Sequence, residues 1–538
     1  MAVPPVPQTR AAVAARAVRL PLLLDVVIGL LTAVALPLAV VAIPNTISIV
    51  AALLPPGVSQ VAMMRAHGLA LPAMLLTVPL AAVAVRRFRA APILVAGLTL
   101  LALADVAGGY AGSTSLVGAL RVLHGVGAGM LVPATLVAVA ERPRRRVLLA
   151  VWAGALSASL LSAQALALWP LDDVSSWKVT LQPYPLLTGV ALALAAAYLV
   201  LWLIAGDDGA ETATGETVAE KISMEKTGSG TRADALSAEV RPARGRVTAA
   251  ERGRLLLAAV PAAGIAVLAI GTTFDWPPSL VVVAAAVAVL AMLGLAAVGT
   301  FEGPGGRTLA LANVAIGLVV LPTAAQTTYV ELGGLGGPGL KGLWLPFLIA
   351  VVAAFAAAVV AGTLPEALAP RLTAGGLVAV VAGLCAIRLL VPDAYGPPLV
   401  VPFTLLAVGS AVALVSGLRL AGVGAALLGL SLCFPAVLAG FLLGTGIQVD
   451  RLREATGSPT ATKQDVVDGF IDALHIWALA GGFVVVGVIV LSSVLARRGP
   501  AAERTAPGAT PDGHVTIPAP TPSPEGEHGA AGEQSTER

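Results

Sequence analysis

The sequence predicts an all-α polytopic membrane protein of about fourteen transmembrane helices, with both termini on the cytoplasmic side. Three observations carry this prediction. Of 538 residues, 57% are hydrophobic and only 12% are charged, about half the charged fraction of a soluble domain. The charges fall in short runs, and the apolar stretches between them are about 20 residues long, enough to cross a hydrocarbon core as helices. When these stretches are taken as alternate crossings from a cytoplasmic N-terminus, 25 of the 33 Lys and Arg residues land on the inner side, as the positive-inside rule requires. A transmembrane barrel would show segments of about ten residues with alternating polarity, and the sequence has no such pattern.

The elements follow in order. Residues 1–21, with Arg10, Arg16 and Arg19, form a cytoplasmic N-terminus ahead of an apolar run longer than a signal-peptide core. Spans one to six are expected at 22–43, 68–85, 91–110, 117–140, 147–169 and 186–204, giving an N-terminal six-helix bundle over 22–204. Residues 205–254 are rich in Thr, Ala, Gly and charge and are expected to be a disordered cytoplasmic linker, because such a composition cannot bury a core. Two inserted helices, 255–273 and 280–298, occupy 255–298. Spans at 308–329, 343–362, 373–391, 399–416, 420–444 and 470–495 complete a C-terminal bundle over 308–495. Residues 497–538, containing the run Pro518 to Pro524, are expected to be a disordered cytoplasmic tail.

Several function classes are set aside. The basic residues lie beside apolar spans, where they anchor to the membrane surface, so no nucleic-acid partner is expected. Cys385 and Cys433 sit inside apolar stretches without metal-ligand spacing, which gives neither a disulfide framework nor a metal site. The sequence contains no Gly-rich phosphate loop after a strand and no Gly-x-Ser-x-Gly elbow, so neither an enzyme nor a cofactor is expected. The partner expected from composition is membrane lipid, in a multi-pass protein of the plasma membrane.

The segment Leu120-Arg121-Val122-Leu123-His124-Gly125-Val126-Gly127-Ala128-Gly129, followed by Pro133, resembles the fourth-helix motif Arg-x-x-Gln-Gly-x-Gly-x-Gly/Ala of the major facilitator superfamily. Six helices, two inserted and six more resemble its fourteen-helix drug:proton antiporter branch. Ser176-Trp177-Lys178 and Arg419-Leu420-Ala421-Gly422 are similar to further motifs of that branch. The resemblance implies export of small hydrophobic or amphiphilic compounds by alternating access, coupled to protons. The chain also departs from the pattern. In the loop after the second span the family's first Gly falls on Ala82, its Asp on Arg86 and its last Gly on Arg89, while Arg87 keeps its type. The fifth span, Gly154 to Gln164, lacks the Gly-Pro bend, and the acid of the first-helix signature falls on Ile28 or Ala35, leaving Asp25 nearby. These departures motivate an alternative class, a non-transporting membrane scaffold, sensor or assembly partner on the same fold.

Few ionisable groups lie within the spans. An arginine at mid-helix costs roughly 2.5–3.5 kcal/mol on insertion scales, so Arg121 needs a partner or a wet cavity. The loop between spans three and four centres near Ser113, which places Asp105 and Arg121 at equal depth on antiparallel helices. A buried Asp105–Arg121 pair is therefore expected, with His124 one turn away. Gly125 and Gly129 form a small-x-x-x-small pair, with Gly127 on another face. Gly125, Gly127, Gly129, Pro133 and Arg87 are the packing and gating candidates. Weaker site candidates are Gln164 and Gln326 in mid-span, Asp472 and His475 on one face near the outer surface, and Asp25, expected to be solvated at the inner end.

Overall fold

The computed structural model describes residues 10–171, 174–224, 249–272, 276–299, 303–332, 338–392, 395–457 and 462–497. Its helices are α1 (Arg10–Val41), α2 (Gln60–His67), α3 (Ala70–Phe88), α4 (Ala90–Gly108), α5 (Thr114–Ala140), α6 (Arg145–Leu168), α7 (Pro185–Met224) and α8 (Ala249–Thr272). They continue with α9 (Pro278–Val298), α10 (Gly303–Val330), α11 (Gly339–Thr363), α12 (Ala369–Leu390), α13 (Val400–Leu420), α14 (Val423–Thr456) and α15 (Lys463–Arg497). Among the described residues these helices make fourteen spans long and apolar enough to cross a membrane, α2 and α3 together forming the second. The protein is thus an all-α, multi-pass protein of the plasma membrane, with the helix number that the apolar runs predict.

Local chemistry sets several boundaries. Ser59 and Ser113 cap α2 and α5, their side chains accepting from the amides of Ala62 and Leu116, which satisfies donors orphaned at a helix start. The second span breaks at Gly68 and Leu69, so it begins one short helix earlier than its apolar run. α7 runs on to Met224, into the segment expected as linker, and residues 225–248 and the expected tail from 498 lie outside the described residues. Arg89 turns the chain between α3 and α4 at φ 70° and ψ 162°, a region open essentially to glycine alone. Glycine is the residue suited to such a turn, and an arginine holds the position here. Its guanidinium lies 5.4 Å from the centre of the Trp202 ring.

The same packing scheme occurs twice. In the first bundle α5 packs on α3 and α4, while α1 packs on α5, α6 and α7. In the second, α13 packs on α11 and α12, while α10 packs on α13, α14 and α15. Reciprocal glycines mark the match. A Cβ on Gly127 would lie 2.7 Å from the Gly97 carbonyl, and one on Gly409 would lie 2.6 Å from that of Gly376, so α4–α5 and α12–α13 each meet backbone to backbone. The bundles join where α6 packs on α10, α11 and α13, and where α3 packs on α14. The inserted α8 and α9 lie along the α3–α14 side. Consequently α6, α10 and α14 are almost wholly buried, and α7, α8 and α9 turn most of their surface outward.

Candidate functional site

Two places between the helices carry polar groups that a purely apolar bundle has no use for. The first lies in the outer half of the N-terminal bundle. Arg121 is buried about seven residues into α5, roughly 10 Å along its axis. Its Nε donates to the His67 carbonyl at 2.9 Å, and one terminal nitrogen donates to the carbonyls of Ala42 and, at 3.4 Å, Pro44. These oxygens belong to the end of α2 and to the chain just past α1. Carbonyls without helical partners collect at such ends with a partial negative charge, so the cation is held by two converging helix termini.

This corrects the expected Asp105–Arg121 pair, because Asp105 bonds His124 instead, with Oδ1 2.9 Å from Nε2. The reason is helical geometry. Three residues advance the direction of a side chain by about 300°, so His124 turns onto α4 while Arg121 turns onto the end of α2. The second ring nitrogen of His124 lies 3.0 Å from the Leu120 carbonyl. A carbonyl only accepts, so Nδ1 is assigned the proton, and the line between Nε2 and Oδ1 then holds one further proton. Removing that proton sets a lone pair against a carboxylate and breaks the bond, whereas a further proton can sit on the other carboxyl oxygen and leave the bond in place. Asp105, Arg121 and His124, with Tyr184 and Thr188, line a cavity of about 20 Å³, room for one water molecule.

His67 belongs to this cluster and was not among the sequence candidates. It is buried, its carbonyl holds Arg121, and its ring lies near Arg121, His124 and Thr180 without a hydrogen bond of good geometry among the described residues. Its signal was present as a histidine at the edge of an apolar run, but a span drawn from Gly68 leaves it in a loop. Above the cluster the outer segments form their own small core from Ile47, Met63, Val117, Trp177 and Leu181, with Leu332 and Leu340 of the C-terminal half packed against it. Lys178 donates to the Gly109 carbonyl at 3.0 Å and ties this cap to α4.

The second place is the inner side, the face that carries the arginine clusters. A cavity of about 180 Å³ opens there between the bundles, lined by the α5–α6 corner of one and the α13–α14 corner of the other. These corners are equivalent in the repeated packing scheme, so each half supplies the same element to the cavity. Arg145, Arg146, Arg419 and Glu366 are its charged lining. Arg419 donates to the carbonyls of Ala361 and Leu364 at 2.8 and 2.7 Å, closing the end of α11 much as Arg121 closes α1 and α2.

The remaining candidates are placed as follows. Gly125 and Gly129 face α3, where a Cβ on Gly129 would lie 2.7 Å from Thr77, and Gly127 faces α4. Pro133, lacking an N–H, frees the carbonyl of Gly129 from its helical bond. Arg87 is exposed with its guanidinium 5.2 Å from the Phe88 ring centre, whereas Arg86, at the motif's acidic position, pairs with Glu251 of α8 at 3.4 Å. Asp25 is buried rather than solvated, because Arg142 from the α5–α6 corner reaches across to it at 2.7 Å and also donates to the Pro21 carbonyl. Gln164 donates to the Tyr329 hydroxyl at 3.1 Å, joining α6 to α10 across the two bundles. The Gln326 amide lies against Gly444 of α14. Asp472 is exposed, and His475 donates from Nε2 to the Val391 carbonyl at 2.9 Å, tying α15 to the end of α12.

No protein-family model matches the chain, and no curated protein matches it.

Proposed function

We propose that this protein is a secondary transporter in which the two bundles rock about their shared interface and move a small hydrophobic or amphiphilic compound outward. It performs no chemical conversion. The observation that carries this reading is the repeated packing scheme, whose equivalent corners enclose a cavity on one face while an apolar cap covers the other. Two equivalent bundles that meet around an axis along the membrane normal, with a cavity open on one face and a cap on the other, are the arrangement in which one bundle can rock against the other. The likeness of Leu120 to Pro133 and of the six-two-six arrangement to the fourteen-helix drug:proton antiporters of the major facilitator superfamily supports the same reading.

Proton coupling is assigned to Asp105 and His124. Their bond depends on one proton, and it lies beside the arginine that holds the outer ends of α1 and α2, so a change of protonation alters the field on that clamp. The acid absent from the signature position of the first helix, at Ile28 or Ala35, is thereby replaced by one on α4, while the buried Asp25 of α1 is taken up by Arg142.

The test is flux in proteoliposomes with an imposed pH gradient and a panel of hydrophobic dyes and alkyl amphiphiles. Transport of at least one compound that depends on the gradient, and loses that dependence in Asp105→Asn, supports the assignment. Absence of flux across the panel in correctly inserted protein favours the scaffold or sensor reading, to which the altered motifs after the second span and in α6 otherwise lend weight.

A further inference from the structure

The inner cavity carries more positive charge than membrane anchoring explains. Anchoring arginines work at the lipid-facing rim, where they meet headgroups. Arg145 and Arg146 instead open α6, a helix enclosed by α1 and α5 on one side and by α10, α11 and α13 on the other. Both are exposed and line a cavity of about 180 Å³ between the two bundles on the inner face. Their side chains make no hydrogen bond or ion pair among the described residues. Glu366, the one carboxylate of the lining, is exposed and unpaired among them, and Arg419 brings a third guanidinium that is fixed on the end of α11. Three cations and one carboxylate thus converge on a concave site.

The rest of the lining is apolar, with Leu136 and Leu149 from one bundle and Leu418 and Val423 from the other. Free guanidiniums present donors in a fixed fork that matches the spacing of oxygens on phosphate or carboxylate. The cavity is too small for a whole drug-sized ligand, whose pockets run from about 300 Å³ upward, and is matched to a headgroup.

We propose that this vestibule binds the oxyanion head, phosphate or carboxylate, of an amphiphile between Arg145 and Arg146 of one bundle and Arg419 of the other. The inference names the ligand class for the inner cavity of the transport reading, but the binding itself requires no transport. The oxyanion comes either from an inner-leaflet lipid or from a soluble compound.

The experiment uses full-length protein in phosphatidylcholine nanodiscs, with dodecyl phosphate as the probe and dodecyltrimethylammonium as its opposite, followed by calorimetry. Wild type should prefer the phosphate at least tenfold and lose affinity as salt rises. Arg145→Gln with Arg146→Gln should weaken binding tenfold or more. Arg144→Gln with Arg252→Gln, exposed arginines outside the cavity lining, removes the same charge and should leave binding within twofold. Competition by phosphatidylglycerol built into the nanodisc assigns the site to lipid, whereas competition by inorganic phosphate assigns it to a soluble anion. Should the double glutamine variant fail to fold, Arg145→Lys with Arg146→Lys keeps the charge without the fork and should bind several-fold more weakly than wild type. Equal binding of the two probes by wild type, or equal losses in the cavity pair and the control pair, overturns the proposal. Binding without flux in the liposome assay would leave this site standing and remove the transport reading instead.

Discussion

Replacing Arg121 tests the outer cluster most sharply, because three substitutions there separate the donor groups from the apolar stem. In Arg121→Ala the carbonyls of His67 and Ala42 lose their donors. A buried acceptor left unpaired costs about 1–3 kcal/mol, and the Pro44 contact at 3.4 Å adds little. Two effects offset part of this loss. The desolvation cost of the cation disappears, and the vacated space, joined to the cavity of about 20 Å³ beside it, admits water to the freed oxygens. The net loss is about 2–4 kcal/mol. Arg121→Met restores the apolar stem without a donor and should fall within about 1 kcal/mol of the alanine variant, since the unpaired carbonyls are what both share. Arg121→Lys, with a charge and three donors but no fork, should recover about half of the loss. Reversible unfolding in mixed detergent micelles measures the series. The clamp should also be visible directly: in a Cys385→Ser background, Ala42→Cys, buried in the native protein, should react faster with a water-soluble maleimide from the outer side once Arg121 is changed. A methionine variant as stable as wild type, with Ala42→Cys still protected, would refute the idea that the arginine holds these helix ends.

Asp105→Asn should keep the contact with His124, because an amide N–H can donate to the unprotonated Nε2; stability should change by less than about 1 kcal/mol while the pH dependence of flux disappears. Weakening the partly buried Asp25–Arg142 pair by Asp25→Asn, whose amide oxygen still accepts from the guanidinium, should cost about 1–3 kcal/mol, a value to be compared with Arg142→Gln and the double variant in one cycle. Arg89→Gly should stabilise the protein by about 1–2 kcal/mol in the same unfolding assay, because a residue held at φ 70° and ψ 162° is strained unless it is glycine. Tyr329→Phe removes the bond from Gln164 that spans the bundles and should destabilise by about 0.5–1.5 kcal/mol, with Gln164→Leu giving no further loss when added to it.

The helix number was legible because hydropathy and charge placement report on the same physical fact, the cost of carrying polar groups through hydrocarbon. The spacing that sets Gly125, Gly127 and Gly129 on two faces of α5 was legible for a similar reason, since it needs only the helical period. What the sequence hid depends on where helices end. Arg121 is held by oxygens just past α1 and at the end of α2, and no residue type marks a bare carbonyl. Equal depth on antiparallel helices pointed to Asp105, and the direction of each side chain around α5 decided for His124 instead. The burial of Asp25 escaped because its partner comes from a corner 117 residues away. His67 was set aside by a span boundary, which hydropathy fixes only to within a turn or so. The cavity charges, Arg145, Arg146 and Arg419, were each visible as inner-side arginines, and only the meeting of two corners in space makes them a set.

The proposed rocking of the two bundles around the inner cavity can be stopped and restarted by a reversible link across it. Ala140 and Ala421 line that cavity from opposite bundles, so Ala140→Cys with Ala421→Cys in the Cys385→Ser background can be joined by a bismaleimide that carries a cleavable disulfide. Gradient-driven flux should fall to background when the link forms and return when a reductant cuts it. Undiminished flux in protein shown by intact mass to be fully linked would contradict the account.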